Sequence, residues 1–353
     1  MYPKLVINKG KLHHNTKRIV NMAKACGIQV HMVTKVHSAD VELAKVCLDA
    51  GVCGLADSRI QNLEKLKDLS CEKILLRLPM HSEVDQVVAL SDISFNSELE
   101  TIRLLNDAAV RAHKKHRIVV MFDLGDLREG FLPEEVDVVI PEIMKCEAII
   151  IEGIGVNLTC YGGVIPTQEN LGELERLAIH IEGKYGLKLN MISGGNSSSI
   201  YLLDGCEIPS KINNLRVGEA IVLGREAAYG KQIEDMYDDA FVLEAQLVEY
   251  RTKQSMPKGL IGMDAFGGVP SFVDKGLMKR GIVAIGRQDV DHTALIPLDS
   301  RLEIIGASSD HMIIDFTAAA EDYKLGDIVQ FKMEYSAMLK LFTSEYVSRS
   351  YLD

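Results

Sequence analysis

Apolar, β-prone runs return along the first two thirds of the chain at residues 28–35, 51–57, 73–79, 92–96, 117–124, 150–157, 187–193 and 214–223. Between them the apolar positions take helical spacing, as where Leu99, Ile102, Leu105 and Ala109 fall on one face and Leu63 and Leu66 on another. Eight strands alternating with helices over roughly 220 residues is the count and size of a (β/α)8 barrel. Two helix starts are predicted from Ser97-Glu-Leu-Glu100 and Ser58-Arg-Ile-Gln61, where a Ser three residues before Glu or Gln can satisfy orphan N–H groups reciprocally. Past Tyr229-Gly230 the texture changes. Segments 241–248, 281–285, 302–305, 311–315 and 328–332 are short, apolar and separated by Gly, Asp and Ser turns, which predicts an all-β second domain. The expected division is therefore a barrel over 1–230 and a C-terminal β-domain over 231–353, the first strand being able to pack with the latter.

Composition narrows the function classes. At 353 residues and 47% hydrophobic, the chain can bury two cores. A formal net charge of −11, with no dense basic block beyond Lys114-Lys115, argues against nucleic acid or an anionic membrane as partner and favours a small-molecule substrate. The seven cysteines are scattered, without Cys-x-x-Cys or zinc spacing, so no metal is expected and they read as reduced thiols of a cytoplasmic protein. The N-terminus turns polar too early for a signal peptide, and no apolar run approaches the length of a membrane span.

Barrel active sites lie where strands end, because each strand–helix loop contributes side chains to one mouth. Lys35, Asn157, the Gly194-Gly-Asn196-Ser197 loop and Arg216-Val-Gly218 all fall on such ends. An amine at a strand end, a Gly/Ser loop whose backbone N–H groups can approach phosphate oxygens, and an arginine on a later strand together describe a pocket for pyridoxal phosphate.

The same residues carry a resemblance. Leu12-His-His-Asn15, Val33-Thr-Lys35, Phe122-Asp-Leu-Gly-Asp-Leu-Arg128-Glu-Gly130, Asn196-Ser197, Leu215-Arg-Val-Gly218, Gly306-Ala-Ser-Ser-Asp310 and Leu325-Gly-Asp327 resemble the alanine racemase family, pyridoxal-phosphate enzymes built from a barrel followed by a β-domain. Through Gly54-Leu-Ala-Asp-Ser-Arg-Ile-Gln-Asn-Leu63, Gly155-Val-Asn-Leu-Thr-Cys-Tyr-Gly162, Ser193-Gly-Gly-Asn-Ser-Ser-Ser-Ile200 and Phe342-Thr-Ser-Glu-Tyr346 the chain is most similar to the ornithine racemases of that family. The resemblance implies that Lys35 carries the cofactor as an imine. Ser197 and the backbone of Gly218 and Glu219 would bind its phosphate, Arg216 would face its ring nitrogen, and Asn196 and Tyr346 would join the cofactor set. Arg128 would lie near the cofactor hydroxyl and the substrate carboxylate. It also implies a homodimer with shared active sites. Racemases of lysine, alanine or serine, and a non-catalytic cofactor-binding protein, are the competing expectations.

The chain departs from the family pattern at two places. The tyrosine that alanine racemases carry after a glycine of the β-domain, the second proton carrier, is replaced in the string Ile285-Gly286-Arg287-Gln288-Asp289; a phosphate-binding tyrosine shortly after the lysine is absent from Val36-His37-Ser38-Ala39. Cys160, Asp289, Asp310 and His311 remain as candidates for the second base. Ornithine also brings a distal ammonium, for which Asp289 and Asp310 are the expected carboxylates, since an unpaired buried charge costs several kcal/mol.

Overall fold

The computed structural model describes residues 1–353. The chain divides into two compact units, Gly10–Asp238 and a second made of Met1–Lys9 with Asp239–Asp353. The N-terminal strand β1 (Lys4–Asn8) is thus part of the second unit. The first unit is a closed parallel barrel of β2 (Gln29–Val33), β3 (Gly54–Asp57), β4 (Glu72–Leu75), β5 (Ile93–Asn96), β6 (His116–Met121), β7 (Ile149–Gly155), β8 (Met191–Ser193) and β9 (Asn214–Val217). Helices on the outside bury one face each. Leu105, Ala108 and Ala109 of the helix Leu99–Arg111 pack with Val84, Val87 and Val88 of its neighbour, while Val33, Ala56, Ile74, Phe95, Val119 and Met121 fill the barrel interior.

Every expected barrel strand is present, but the last is much shorter than its apolar run. β9 stops at Val217, and Glu219–Leu223 is a helix. A run of buried apolar residues does not distinguish strand from helix; here the Gly218 carbonyl accepts from the Ile221 and Val222 N–H groups at 3.1 and 3.2 Å, so the backbone turns into a helix instead of extending the strand. The two expected serine caps are also corrected. The helices start at Ile60 and Leu99, one residue after the sites that Ser58 and Ser97 could cap, and neither N-terminus has a side-chain cap. At the first, Asp57 serves instead: its Oδ1 accepts from the Arg59 N–H at 2.9 Å and from Asn62 Nδ2 at 3.1 Å. A reciprocal cap does form at Thr167 and Asn170, heading the helix Gln168–Tyr185.

The second unit is an antiparallel sheet built on the long β10 (Phe241–Gln254), whose Phe241, Leu243, Ala245 and Leu247 are buried at alternate positions. With β11 (Leu277–Val283), β12 (Leu295–Pro297), β13 (Glu303–Ala307), β14 (Met312–Asp315) and β15 (Ile328–Met333) it forms the order β12-β15-β10-β11-β14-β13. β1 pairs antiparallel with β10 and parallel with β16 (Ser348–Leu352). One helix, Tyr335–Thr343, interrupts the β texture, burying Ala337, Met338, Leu341 and Phe342 at helical spacing.

One expectation about the cysteines fails. Cys26, just past the helix Lys9–Ala25, and Cys206, ending the 3-10 helix Ser197–Cys206, form a disulfide across 180 residues of sequence; the other five are free thiols. The scatter that suggested reduced thiols concerns sequence spacing, and the barrel brings these two Cα atoms to 5.4 Å. No helix is long and apolar enough to cross a membrane.

Candidate active site

Lys35 sits half-buried in a 3-10 turn, Thr34–His37, directly after β2. That turn is held from behind: Thr34 Oγ1 donates to Asp57 Oδ2 at 2.7 Å, and Asp57 is fully buried at the end of β3. Burial raises the Asp57 carboxyl above its ordinary value, against the opposing hydrogen bonds from Thr34, Asn62 and the backbone. Ser38 and Ala39 both take positive φ of 54°, so the chain leaves the turn sharply.

Next to β2 in the barrel is β9, paired through Met32 and Val217. At its end the backbone N–H groups of Gly218 and Ala220 both donate to Ser197 Oγ, at 3.4 and 3.1 Å. Ser197 is buried and opens the 3-10 helix after β8, whose N-cap Asn196 accepts from the Ser198 N–H at 2.8 Å. The other end of the Asn196 amide reaches across to the β7 loop, donating to Asn157 Oδ1 at 3.1 Å and the Leu158 carbonyl at 3.0 Å, with Cys160 Sγ at 3.4 Å. Glu219, expected as a backbone contact to the phosphate, is the first residue of the following helix and turns its side chain to Arg225, while the Ala220 N–H, like that of Gly218, goes to Ser197 Oγ.

Arg216 is 4% exposed and has no carboxylate partner. Its Nη1 donates to Ser193 Oγ at 2.5 Å and its Nη2 to the Val156 carbonyl at 2.8 Å, while the guanidinium lies 5.0 Å over the Phe95 ring. Burial lowers it to about 10, with the Glu129 carboxylate acting in the other direction. Such a group stays cationic at neutral pH.

The β6 loop brings Arg128 and Glu129. Asp123 Oδ1 accepts from the Gly125 and Leu127 N–H groups, and Asp126 accepts from the Tyr161 and Val164 N–H groups of the β7 loop, so the two loops are fixed to each other. Gly130 closes the turn at φ +142°, where a Cβ would stand 2.1 Å from the Asp123 nitrogen. Arg128 pairs with Glu129 through Nε and Nη2; this pairing raises the guanidinium further above its ordinary value, burial opposes it, and a contact with Cys160 adds to the rise.

The barrel unit therefore has Lys35, Arg128, Cys160, Asn196, Ser197 and Gly218 on the segments that follow its strands, and Arg216 one residue before the end of β9. The residues that orient them, Thr34, Asp57, Asn157, Ser193 and Phe95, carry no signal of this role in the sequence beyond lying at strand ends. Asp289, Asp310, His311 and Tyr346 belong to the second unit. Asp289 is buried there and accepts from Ser344 Oγ at 2.7 Å, whereas Asp310, His311 and Tyr346 are exposed. Arg287, standing where the resemblance leads one to expect a tyrosine, stacks 3.7 Å above the Phe266 ring on a cavity of about 580 Å³ that Asp264 and His292 also line.

Residues 7–226 match the family described as "Alanine racemase, N-terminal domain". The chain belongs to the alanine racemase family. An ornithine racemase from Acetoanaerobium sticklandii is 50% identical over 353 residues, covering 100% of both chains. A lysine racemase from Thermotoga maritima is 39% identical over 353 residues and 99% of each chain. Among solved structures, alanine racemase from the D-cycloserine-producing Streptomyces lavendulae aligns with a TM-score of 0.76 at 14% identity, over 99% of this chain and 97% of that one, which shows the shared fold.

Proposed function

We propose that this protein is a pyridoxal-phosphate-dependent amino-acid racemase whose main substrate is ornithine, working as a homodimer. The substrate rests on the full-length similarity to an ornithine racemase, with lysine, one methylene longer, as the second reading from the more distant relative. The chemistry rests on one observation: a buried arginine without an acid, Arg216, beside a Gly/Ser loop with converging donors.

The residues present fit the cofactor. Ser197 Oγ accepts from the Gly218 and Ala220 N–H groups and keeps its own proton, so those two donors orient the hydroxyl and its proton would go to a phosphate oxygen. Asn157 Nδ2 is buried with no acceptor in the chain, a donor in waiting beside Asn196. When bound, pyridoxal phosphate supplies an electron sink that acidifies the Cα–H of an attached amino acid. Arg216 would meet the ring nitrogen as a permanent cation that does not release its proton, which limits how far charge moves into the ring and so restrains transamination. Arg128 would orient the α-carboxylate.

Racemisation needs a proton removed on one face of Cα and returned on the other. Lys35 is the carrier proposed for one face. For the opposite face Cys160 is supported by its place beside Arg128 and Asn196, with His311 of the β-unit as the alternative.

The test is to follow Cα proton exchange in heavy water across ornithine, lysine, alanine and serine. Ornithine should exchange and racemise fastest. Borohydride reduction of the native protein should fix the cofactor on the peptide containing Val33-Thr34-Lys35, and Lys35→Ala should abolish racemisation. Cofactor fixed on another lysine, or a fully active Lys35→Ala protein, rejects the assignment.

A further inference from the structure

Within the racemase reading, the group that recognises the side chain of the substrate is still to be identified. Ornithine and lysine differ from alanine by a distal ammonium, which needs a carboxylate that can become available. Most acids near the mouth are already committed to the loops. Asp57 takes the Arg59 N–H, Asp123 those of Gly125 and Leu127, Asp126 those of Tyr161 and Val164, and Glu226 those of Ala228, Tyr229 and Lys231. Detaching any of these would unfasten backbone. In the β-unit, Asp289 is buried against Ser344, and Asp310, the other expected carboxylate, is exposed and takes the Ser309 hydroxyl.

Glu129 differs from all of them. Its side chain is 15% exposed, and its partner is the Arg128 side chain, with no backbone donor. Both residues sit on the pinned turn between Asp123 and Gly130, so they can separate without moving the loop. The Glu129 loop is fastened to the β7 loop through Asp126, and the negative charge of Glu129 raises the buried Arg216 guanidinium.

We propose that Glu129 is the specificity carboxylate of the site and binds the distal ammonium of a diamino-acid substrate through an exchange of ion pairs. In the free enzyme Arg128 and Glu129 neutralise each other. On binding, the α-carboxylate of the substrate takes Arg128 and its distal ammonium takes Glu129, so one ion pair is replaced by two and no charge is left alone. A neutral amino acid offers only the first half of the exchange: it draws Arg128 away and leaves Glu129 partly buried and unpaired, which is a penalty against that substrate as well as a missing attraction. The selectivity is then built in by a residue adjacent to the carboxylate-binding arginine.

The experiment compares ornithine with norvaline, the five-carbon analogue without the distal amine, in wild type and Glu129→Gln. Cα deuterium exchange should show kcat/KM for ornithine falling by on the order of 100-fold, the scale of one lost charge-assisted pair, mostly through KM. Norvaline exchange should be unchanged or faster, because Arg128 is no longer held. Ornithine binding to the Lys35→Ala background, read by calorimetry, should weaken on adding Glu129→Gln. If the two substrates fall by the same factor, Glu129 only positions Arg128 and the inference fails; it fails equally if ornithine is unaffected. Should Glu129→Gln not fold, Glu129→Asp keeps the charge with a shorter reach and is expected to affect ornithine more than norvaline. Failure here with Lys35→Ala still inactive leaves the racemase reading intact, whereas an active Lys35→Ala protein removes that reading itself.

Discussion

At the scale of single residues the site is made of polar groups that the fold commits in advance. Ser197 is the clearest case, a buried hydroxyl on which two N–H groups already converge. Removing it leaves those donors in place but takes away the one donor the side chain itself would direct at a phosphate oxygen. Ser197→Ala should therefore weaken pyridoxal-phosphate affinity by roughly 1–3 kcal/mol, measured by equilibrium titration of the apoenzyme, and should also lower the Tm of the apoenzyme because the Gly218 and Ala220 N–H groups lose their acceptor. An affinity equal to wild type would remove Ser197 from the phosphate set. Lys35, Ser197 and Arg216 were legible in the sequence because strand-end position and a Gly/Ser loop are local features. Glu129 was not, although it adjoins Arg128: only the coordinates reveal that its neighbours among the acids are tied to backbone while it is not.

Elements are positioned by buried polar contacts as well as by apolar packing. His116, at the start of β6, is 2% exposed and its Nε2 lies 2.8 Å from Ser94 Oγ on β5. Burial first, then the positive charges of Arg117 and Lys114, lower it from 6.5 to about 4. The folded barrel thus holds this imidazole neutral where the unfolded chain takes up a proton. Its contribution is fully present above about pH 6.5 and is lost as pH falls toward 4, amounting to roughly 3 kcal/mol at the acid end. His116→Gln, which keeps a hydrogen-bonding side chain but does not titrate, should flatten the fall of Tm between pH 6.5 and 4 relative to wild type. Parallel Tm profiles would show that His116 does not govern acid stability. The strands were predicted from runs of apolar residues, yet the runs gave poor ends. Residues 214–223 read as one strand because burial on all sides erases periodicity, and only the folded backbone, which pairs with β2 as far as Val217 and then closes helical hydrogen bonds on the Gly218 carbonyl, shows where the strand stops.

For the whole molecule, the proposed homodimer makes a prediction that concerns both units. If the β-unit of one subunit completes the barrel site of the other, a Lys35→Ala subunit and an inactive β-unit variant such as Asp310→Lys should recover activity when they form heterodimers. Verified heterodimers without activity would reject the shared site. Within the barrel unit, the disulfide joins the end of the first helix to the end of the 3-10 helix that Ser197 opens, so the cofactor loop is tied at both its ends: by hydrogen bonds at Ser197 and covalently at Cys206. Cross-linking residues this far apart in sequence restricts the unfolded chain far more than a local bridge would.

Sequence by itself determined the barrel, the β-domain after it and the lysine, serine and arginine at the mouth, because hydrophobic periodicity, turn residues and short motifs are all local along the chain. Tertiary structure alone decided the rest. It paired Cys26 with Cys206, buried Arg216 without a counterion, set Ser193 and Val156 against its guanidinium and left Glu129 as an acid held by a side chain only. Each of these depends on which groups from distant loops arrive at the same place and how much water they exclude, and closure of the barrel fixes both.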